Sequence, residues 1–137
     1  MITAIDTNVI SALWSNEPVA AEMAAVLARS RGEGGMVVCG PVYAELLAYP
    51  RITQAFVDEF LRETRVVGEF DLGEPVWREA GARFAVYCQR RRRSRGGTPK
   101  RLLVDFLVGA HALTRADRLL TLDPARYRAD FPELKLV

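Results

Sequence analysis

Four carboxylates stand apart from the other acidic side chains because each lies in or beside an apolar stretch. Asp6 is the first charged side chain, and Asp123 directly follows the apolar run 119–122. Glu45 is the only charged residue between positions 36 and 50, and Asp105 is the only acidic or basic residue between positions 102 and 114. An ionised carboxylate in apolar surroundings loses several kcal/mol of solvation unless a partner compensates it. Each of the four therefore needs an explanation, and one is that all four line a shared crevice.

Carboxylates gathered in one crevice would repel each other, by about 4 kcal/mol for a pair ~4 Å apart at an effective dielectric constant of roughly 20. A divalent cation removes this repulsion, and hard oxygen ligands select Mg²⁺ or Mn²⁺. One histidine and two cysteines provide no zinc motif. On this reasoning, the substitution Asp105→Asn should stabilise the metal-free protein. His111 lies six residues after Asp105, about 240° further around a helix, and is not expected to act as a base at this site.

Each carboxylate also has a purely structural interpretation. Asp6 and Asp123 could cap the helices that follow them. Glu45 and Asp105 could point to solvent from amphipathic helices.

Three other functional classes fit the sequence less well. A receiver-type signalling domain needs an adjacent acidic pair after the first strand and a phosphoacceptor Asp ending a middle strand, and neither is visible. A haloacid-dehalogenase-type phosphatase needs a second Asp two residues after the first, where this sequence has Asn8. A pure RNA-binding module would explain a basic segment but not the four carboxylates.

Charge is unevenly distributed, although the net charge is only +2. Residues 90–101 contain seven basic side chains and no acidic one, while the other positions carry 12 basic and 17 acidic side chains. Clustered cations attract phosphate chains independently of sequence, so the segment is a candidate for RNA binding, with a solvated loop as the alternative. The candidate residues are Arg90, Arg91, Arg92, Arg93, Arg95, Lys100 and Arg101. Asp117 and Asp130, each one or two residues from an arginine, are predicted to lie on the surface.

The order of the elements predicts a single α/β domain over residues 1–137. Half of the 137 residues are hydrophobic, which fits one compact domain. Apolar runs at 1–5, 36–39, 65–67, 119–122 and 134–137 indicate five strands, and helical patterns between them favour a parallel sheet. The sequence shows neither a signal peptide nor an apolar run long enough to span a membrane, so a cytoplasmic protein is expected.

Two helices have specific predicted environments. The helix that Glu74 and Pro75 open should end at Gly96 and Gly97, and its predicted buried face is Trp77, Ala80, Phe84, Tyr87 and Cys88. Residues 102–113 form a helix that is apolar on nearly all sides, so the fold should enclose it.

Four segments that contain the carboxylates resemble the motifs of the PIN-domain ribonucleases, in order and spacing. They are IDTNVI (5–10), GPVYAELL (40–47), DFLVGAHA (105–112) and LTLD (120–123). The resemblance extends over essentially the whole chain and is nearest to the VapC toxins of bacterial and archaeal toxin–antitoxin pairs.

The resemblance implies a three-layer α/β/α sandwich with a central parallel sheet. It also implies endonucleolytic cleavage of RNA by a water that Mg²⁺ or Mn²⁺ activates. The implied catalytic residues and metal ligands are Asp6, Glu45, Asp105 and Asp123, with Asn8 and Thr121 as supporting polar residues. The implied partners are an RNA substrate, a small antitoxin that covers the acidic site, and a second copy of the chain in a homodimer. A PIN nuclease of RNA processing that is not a toxin is the alternative. The basic segment is longer than in a typical member of the family.

Overall fold

The computed structural model describes residues 1–94 and 101–137, which form a parallel β-sheet packed between helices. The four strands in this part of the chain are β1 (Thr3–Ile5), β2 (Met36–Cys39), β3 (Val66–Glu69) and β4 (Arg118–Leu120). Its seven helices are α1 (Thr7–Trp14), α2 (Ala20–Glu33), α3 (Gly40–Leu46), α4 (Gln54–Thr64), α5 (Gly73–Arg93), α6 (Leu103–Arg115) and α7 (Pro124–Arg128). The predicted helix end at Gly96 and Gly97 lies outside the described residues.

All strand pairs of the sheet are parallel, in the order β3-β2-β1-β4. In the register of the sheet, Thr3 of β1 lies opposite Met36 of β2 on one side and opposite Arg118 of β4 on the other. Parallel neighbours need crossover connections, which the helices supply, and the predicted α/β/α sandwich is confirmed. Because the strands run in one direction, their carboxyl ends meet at one edge, where open α/β sheets bind ligands.

The fifth predicted strand, residues 134–137, is wrong. The carboxyl-terminal segment forms a single parallel bridge between Leu119 and Leu136 instead of a ladder. Leu134 is buried, whereas Lys135 and Val137 are exposed. A short terminal segment with few buried apolar side chains gains too little from burial to offset the entropy of ordering a full strand.

The enclosed helix predicted at 102–113 is confirmed as α6, in which every residue from Phe106 to Ala112 is buried. One close contact depends on a glycine, since a Cβ atom at Gly109 would lie 2.5 Å from Cε2 of Phe131. Gly109 therefore lets α6 approach the ring of Phe131. This packing fixes the amino-terminal turn of α6, which carries Asp105.

Helix α5 buries most of the predicted face, since Phe84 and Cys88 also pack against the core, but Trp77 is not part of it. Its buried residues are Val76, Ala80 and Tyr87, whereas Trp77 is 54% exposed. Val76 and Trp77 are adjacent apolar residues, and the helical register places the smaller side chain inward. None of the helices in the described ranges is both long enough and apolar enough to cross a membrane.

Candidate metal centre

The four predicted carboxylates all lie at or near the carboxyl edge of the sheet. Asp6 follows β1, Glu45 lies on the helix that follows β2, and Asp123 lies between β4 and α7. Asp105 lies in the first turn of α6, within hydrogen-bond distance of an arginine of α7. The parallel topology therefore places side chains that are up to 117 positions apart in the sequence along one edge of the sheet.

Asp6 is the most buried of the four, with 5% exposure. Its Oδ1 accepts a hydrogen bond from the backbone N–H of Thr7, so it also caps α1. Its Oδ2 accepts two further bonds, from the hydroxyls of Thr121 and Tyr127, each 2.8 Å long. Burial raises the pKa of Asp6, and these three donors oppose that shift. Of roughly four acceptor sites on a carboxylate, three are in use, and the fourth is on Oδ1.

Thr121 and Asn8, the two predicted supporting residues, join the end of β4 to the start of α1. The Oγ1 of Thr121 accepts the backbone N–H of Asp123 at 3.1 Å and lies 3.4 Å from Nδ2 of Asn8. The Oδ1 of Asn8 accepts the backbone N–H of Leu122 at 3.1 Å. These bonds hold Asp6 and the loop that carries Asp123 in one fixed relation.

Glu45 is exposed and is linked to Asp6 through Thr7. The hydroxyl of Thr7 donates a 2.7 Å hydrogen bond to Oε1 of Glu45, while its backbone N–H bonds Asp6. Thr7 is not among the site residues predicted from the sequence. A hydroxyl residue immediately after the first acid was the available signal for this role.

Asp105 and Asp123 are bridged by one side chain that sequence reasoning missed, Arg126 of α7. Its Nη1 lies 3.2 Å from Oδ1 of Asp105, and its Nε lies 3.2 Å from Oδ2 of Asp123. Partial burial lowers the pKa of Arg126, and the surrounding carboxylates raise it by more. On the other side of Asp105, Nε of Arg101 lies 3.9 Å from Oδ2. Both cations reduce the repulsion that the sequence predicts among the acids.

The donor chemistry at this edge fits a hard divalent cation, because its ligands would all be oxygen atoms. In residues 1–94 and 101–137, however, no three acidic, histidine or cysteine side chains converge closely enough to share one metal ion. The acids are instead joined in pairs, Asp6 to Glu45 through Thr7 and Asp105 to Asp123 through Arg126.

His111 contacts an acid elsewhere. Its Nε2 lies 2.8 Å from Oε1 of Glu69, at the end of β3, and its side chain is almost completely buried. Burial lowers the pKa of His111, and the hydrogen bond that its ring donates to Glu69 opposes that shift. The pair links α6 to the edge strand of the sheet.

The predicted RNA-binding residues divide into three groups. Arg90 and Arg101 both bind the carboxylate of Asp130, with 2.8 Å between Nη2 of Arg90 and Oδ1. Arg92 and Arg93 are exposed on the last turn of α5, and Arg91 beside them is half-buried. Arg95 and Lys100 lie outside the described residues.

The predicted surface position of Asp130 is wrong, since its side chain is only 3% exposed. Two guanidinium groups compensate the desolvation of this carboxylate, which neighbouring residues in the sequence do not reveal. Asp117, in contrast, is exposed as predicted.

Comparisons with known proteins agree with this architecture. A family model described as "PIN domain" matches residues 3–132. No match was found among curated protein sequences.

Three solved structures share the fold. One is VapBC2 from Rickettsia felis, bound to a DNA fragment from its promoter. It matches with a TM-score of 0.64 and 20% sequence identity, and the alignment covers 100% of this chain and 98% of the VapBC2 chain. VapBC-1 from nontypeable Haemophilus influenzae has a TM-score of 0.66 at 23% identity, with 100% and 97% covered. FitAcB from Neisseria gonorrhoeae has a TM-score of 0.63 at 19% identity, with 99% and 96% covered.

Proposed function

The chain belongs to the PIN-domain family, and on that basis we propose that it is a metal-dependent endoribonuclease, the toxin of a VapBC-type toxin–antitoxin pair. The observation that carries the proposal is the row of four carboxylates at the carboxyl edge of the sheet, anchored by the three hydrogen bonds to Asp6. A receiver-type domain or a phosphatase is disfavoured by the family match over residues 3–132.

In this proposal Asp6, Glu45, Asp105 and Asp123 would hold Mg²⁺ or Mn²⁺. When bound, the ion supplies an activated water and offsets negative charge that develops on the phosphate. Asp6 has one acceptor site that protein donors leave open, on Oδ1, so we expect it to act as a monodentate ligand. The hydroxyls of Thr121 and Tyr127 orient that carboxylate by donating hydrogen bonds to its other oxygen, Oδ2.

The basic end of α5 is proposed to guide RNA toward these acids. Arg92 and Arg93 are exposed cations on its last turn, and Arg101 lies between Asp130 and Asp105. Arg90 and Arg101 are bound to Asp130, so we expect them to contribute less to RNA affinity than Arg92 and Arg93. The same proposal assigns RNA contacts to Arg91, Arg95 and Lys100.

The proposed protein partners are a small antitoxin and a second copy of the chain. Two of the similar solved structures are VapBC proteins, which supports an antitoxin partner for this chain. An acidic edge attracts a cationic side chain as well as a metal, so we expect the antitoxin to place an Arg or Lys there.

Sequencing the 5′ ends of RNA incubated with purified protein tests the proposed activity. We expect discrete new ends with Mg²⁺ or Mn²⁺, no new ends in excess EDTA, and none with the variant Asp6→Asn. Cleavage that persists in EDTA, or equally in Asp6→Asn, would overturn the metal mechanism. Expression of the chain alone should arrest growth, and co-expression of an antitoxin from an adjacent gene should restore it. Cleavage without growth arrest would instead favour the PIN nuclease of RNA processing.

A further inference from the structure

The guanidinium of Arg126 lies between two of the acids that are proposed to bind a metal ion. Its guanidinium bridges Asp105 and Asp123 at 3.2 Å each, and Asp6 is close enough to contribute to its electrostatic environment. Two of the four proposed ligands therefore contact a positive charge that belongs to the protein itself, and a third lies near it.

The geometry of this bridge indicates a loosely held side chain. Charge-assisted bonds between a guanidinium and a carboxylate are commonly 2.7–2.9 Å long, and the two bonds here are longer. The side chain of Arg126 is 41% exposed, and it extends from a helix of five residues. By contrast, Nη2 of Arg90 lies 2.8 Å from the buried Asp130. Arg126 can therefore move into solvent, and Asp105, whose side chain is 16% exposed, would keep Arg101 as a nearby cation.

A divalent cation and the guanidinium cannot both occupy this position, since like charges repel strongly at contact distance. With Arg126 in place, no three acids of the described residues are arranged to share a metal ion. Displacement of Arg126 would free Oδ1 of Asp105 and Oδ2 of Asp123 for such an ion.

We propose that Arg126 is an exchangeable internal counter-ion: it neutralises the acidic site of the metal-free protein and is displaced when a divalent cation binds. This inference rests on the metal site of the proposed function and adds an element of regulation to it. Metal binding must break the ion pairs of Arg126, and this free-energy cost weakens metal affinity. In the metal-free protein the same ion pairs reduce the repulsion among the carboxylates.

The test measures Mn²⁺ binding by calorimetry on four proteins: wild type, Arg126→Gln, Arg126→Lys and Arg128→Gln. Arg128 is an exposed arginine of the same helix, so Arg128→Gln makes the same change in net charge without removing the bridge. We expect Arg126→Gln to bind Mn²⁺ on the order of tenfold more tightly than wild type, the equivalent of losing two weak ion pairs. Arg128→Gln should bind Mn²⁺ like wild type. Arg126→Lys, which keeps one charge but cannot bridge two acids, should lie between.

Thermal melting provides a second measurement that does not depend on nuclease activity. In EDTA, Arg126→Gln should melt below wild type because the acids lose their counter-ion. In saturating Mn²⁺ the difference should vanish or reverse, since the ion then carries that role. If Arg126→Gln melts below wild type by the same margin with and without Mn²⁺, the proposed exchange is contradicted.

Failure of this inference is distinguishable from failure of the proposed function. If wild type binds Mn²⁺, Asp6→Asn abolishes binding, and Arg126→Gln has unchanged or weaker affinity, the metal site stands and the counter-ion role is overturned. If Arg128→Gln tightens binding as much as Arg126→Gln, general electrostatics explains the effect and the specific role is overturned. If neither wild type nor Arg126→Gln binds Mn²⁺, the metal site and the exchange both fail.

Discussion

The hydroxyl of Tyr127 donates a 2.8 Å hydrogen bond to Oδ2 of Asp6, and both side chains are buried. The two residues come from opposite ends of the chain, since Tyr127 lies on α7 and Asp6 immediately follows β1. This bond keeps an ionised carboxylate stable in a position where burial raises its pKa. It also attaches α7, the helix that carries Arg126, to the centre of the sheet.

The substitution Tyr127→Phe should therefore destabilise the metal-free protein. It leaves a buried carboxylate oxygen with one donor instead of two, which costs about 1 to 3 kcal/mol. Urea unfolding at pH 7.5 in EDTA measures the loss. Tyr43→Phe is the matched control, because it removes a phenol that bonds Asp58 near the surface. Equal losses in the two variants would mean that burial of Asp6 does not determine the effect.

The ion pairs of Asp105 reverse the expected effect of Asp105→Asn on the stability of the metal-free protein. Repulsion among four acids predicts a more stable metal-free variant, whereas Asp105 lies 3.2 Å from Nη1 of Arg126 and 3.9 Å from Nε of Arg101. We now expect Asp105→Asn to lower the free energy of unfolding in EDTA by about 0.5 to 1 kcal/mol, since these pairs are partly exposed. A double-mutant cycle that combines Asp105→Asn with Arg126→Gln isolates the interaction energy between Asp105 and Arg126. If Asp105→Asn is more stable than wild type in EDTA, repulsion among the acids outweighs these ion pairs.

The fold was predictable from the sequence because strand and helix patterns alternate along it. The enclosed helix α6 follows from a local residue pattern. The predicted face of α5 was wrong only at Trp77, because hydrophobic periodicity cannot distinguish Val76 from its larger neighbour Trp77.

The acidic positions of the candidate site could be read from isolated carboxylates in apolar stretches, but their partners could not. Tyr127 and Arg126 look like ordinary residues of a polar, carboxyl-terminal helix. Their roles arise because the fold places Tyr127 beside Asp6 and Arg126 beside Asp105, a relation that only the three-dimensional structure creates. The same holds for Asp130, whose two arginines are 40 and 29 positions away.

His111 should make the stability of the protein depend on pH in a defined direction. Burial lowers its pKa below the ordinary 6.5, while Glu69 raises it and Arg115 lowers it further. The native state therefore binds fewer protons than the unfolded chain, so this contribution to stability is fully present above pH 6.5 and is lost as the pH falls from 6.5 through the lowered pKa of the folded state. His111→Gln retains a donor for Glu69 but cannot titrate. Urea unfolding between pH 5 and 8 should give a shallower profile for the variant, and parallel profiles would contradict the assignment.

The arginines at the end of α5 should separate into RNA-binding and structural residues. Replacing both Arg92 and Arg93 with Ser should reduce the slope of log affinity against log salt by about 0.7 for each lost phosphate contact, with little change in stability. Arg90→Ser should instead lower the free energy of unfolding by about 1 to 2 kcal/mol, because the buried Asp130 loses one of its two cations. Fluorescence anisotropy with single-stranded RNA in EDTA measures binding without cleavage, and urea unfolding measures stability. A paired replacement of Arg29 and Arg31, two exposed arginines of α2, controls for net charge. If that control lowers the salt slope as much as the change at Arg92 and Arg93, the end of α5 is not a specific RNA-binding surface.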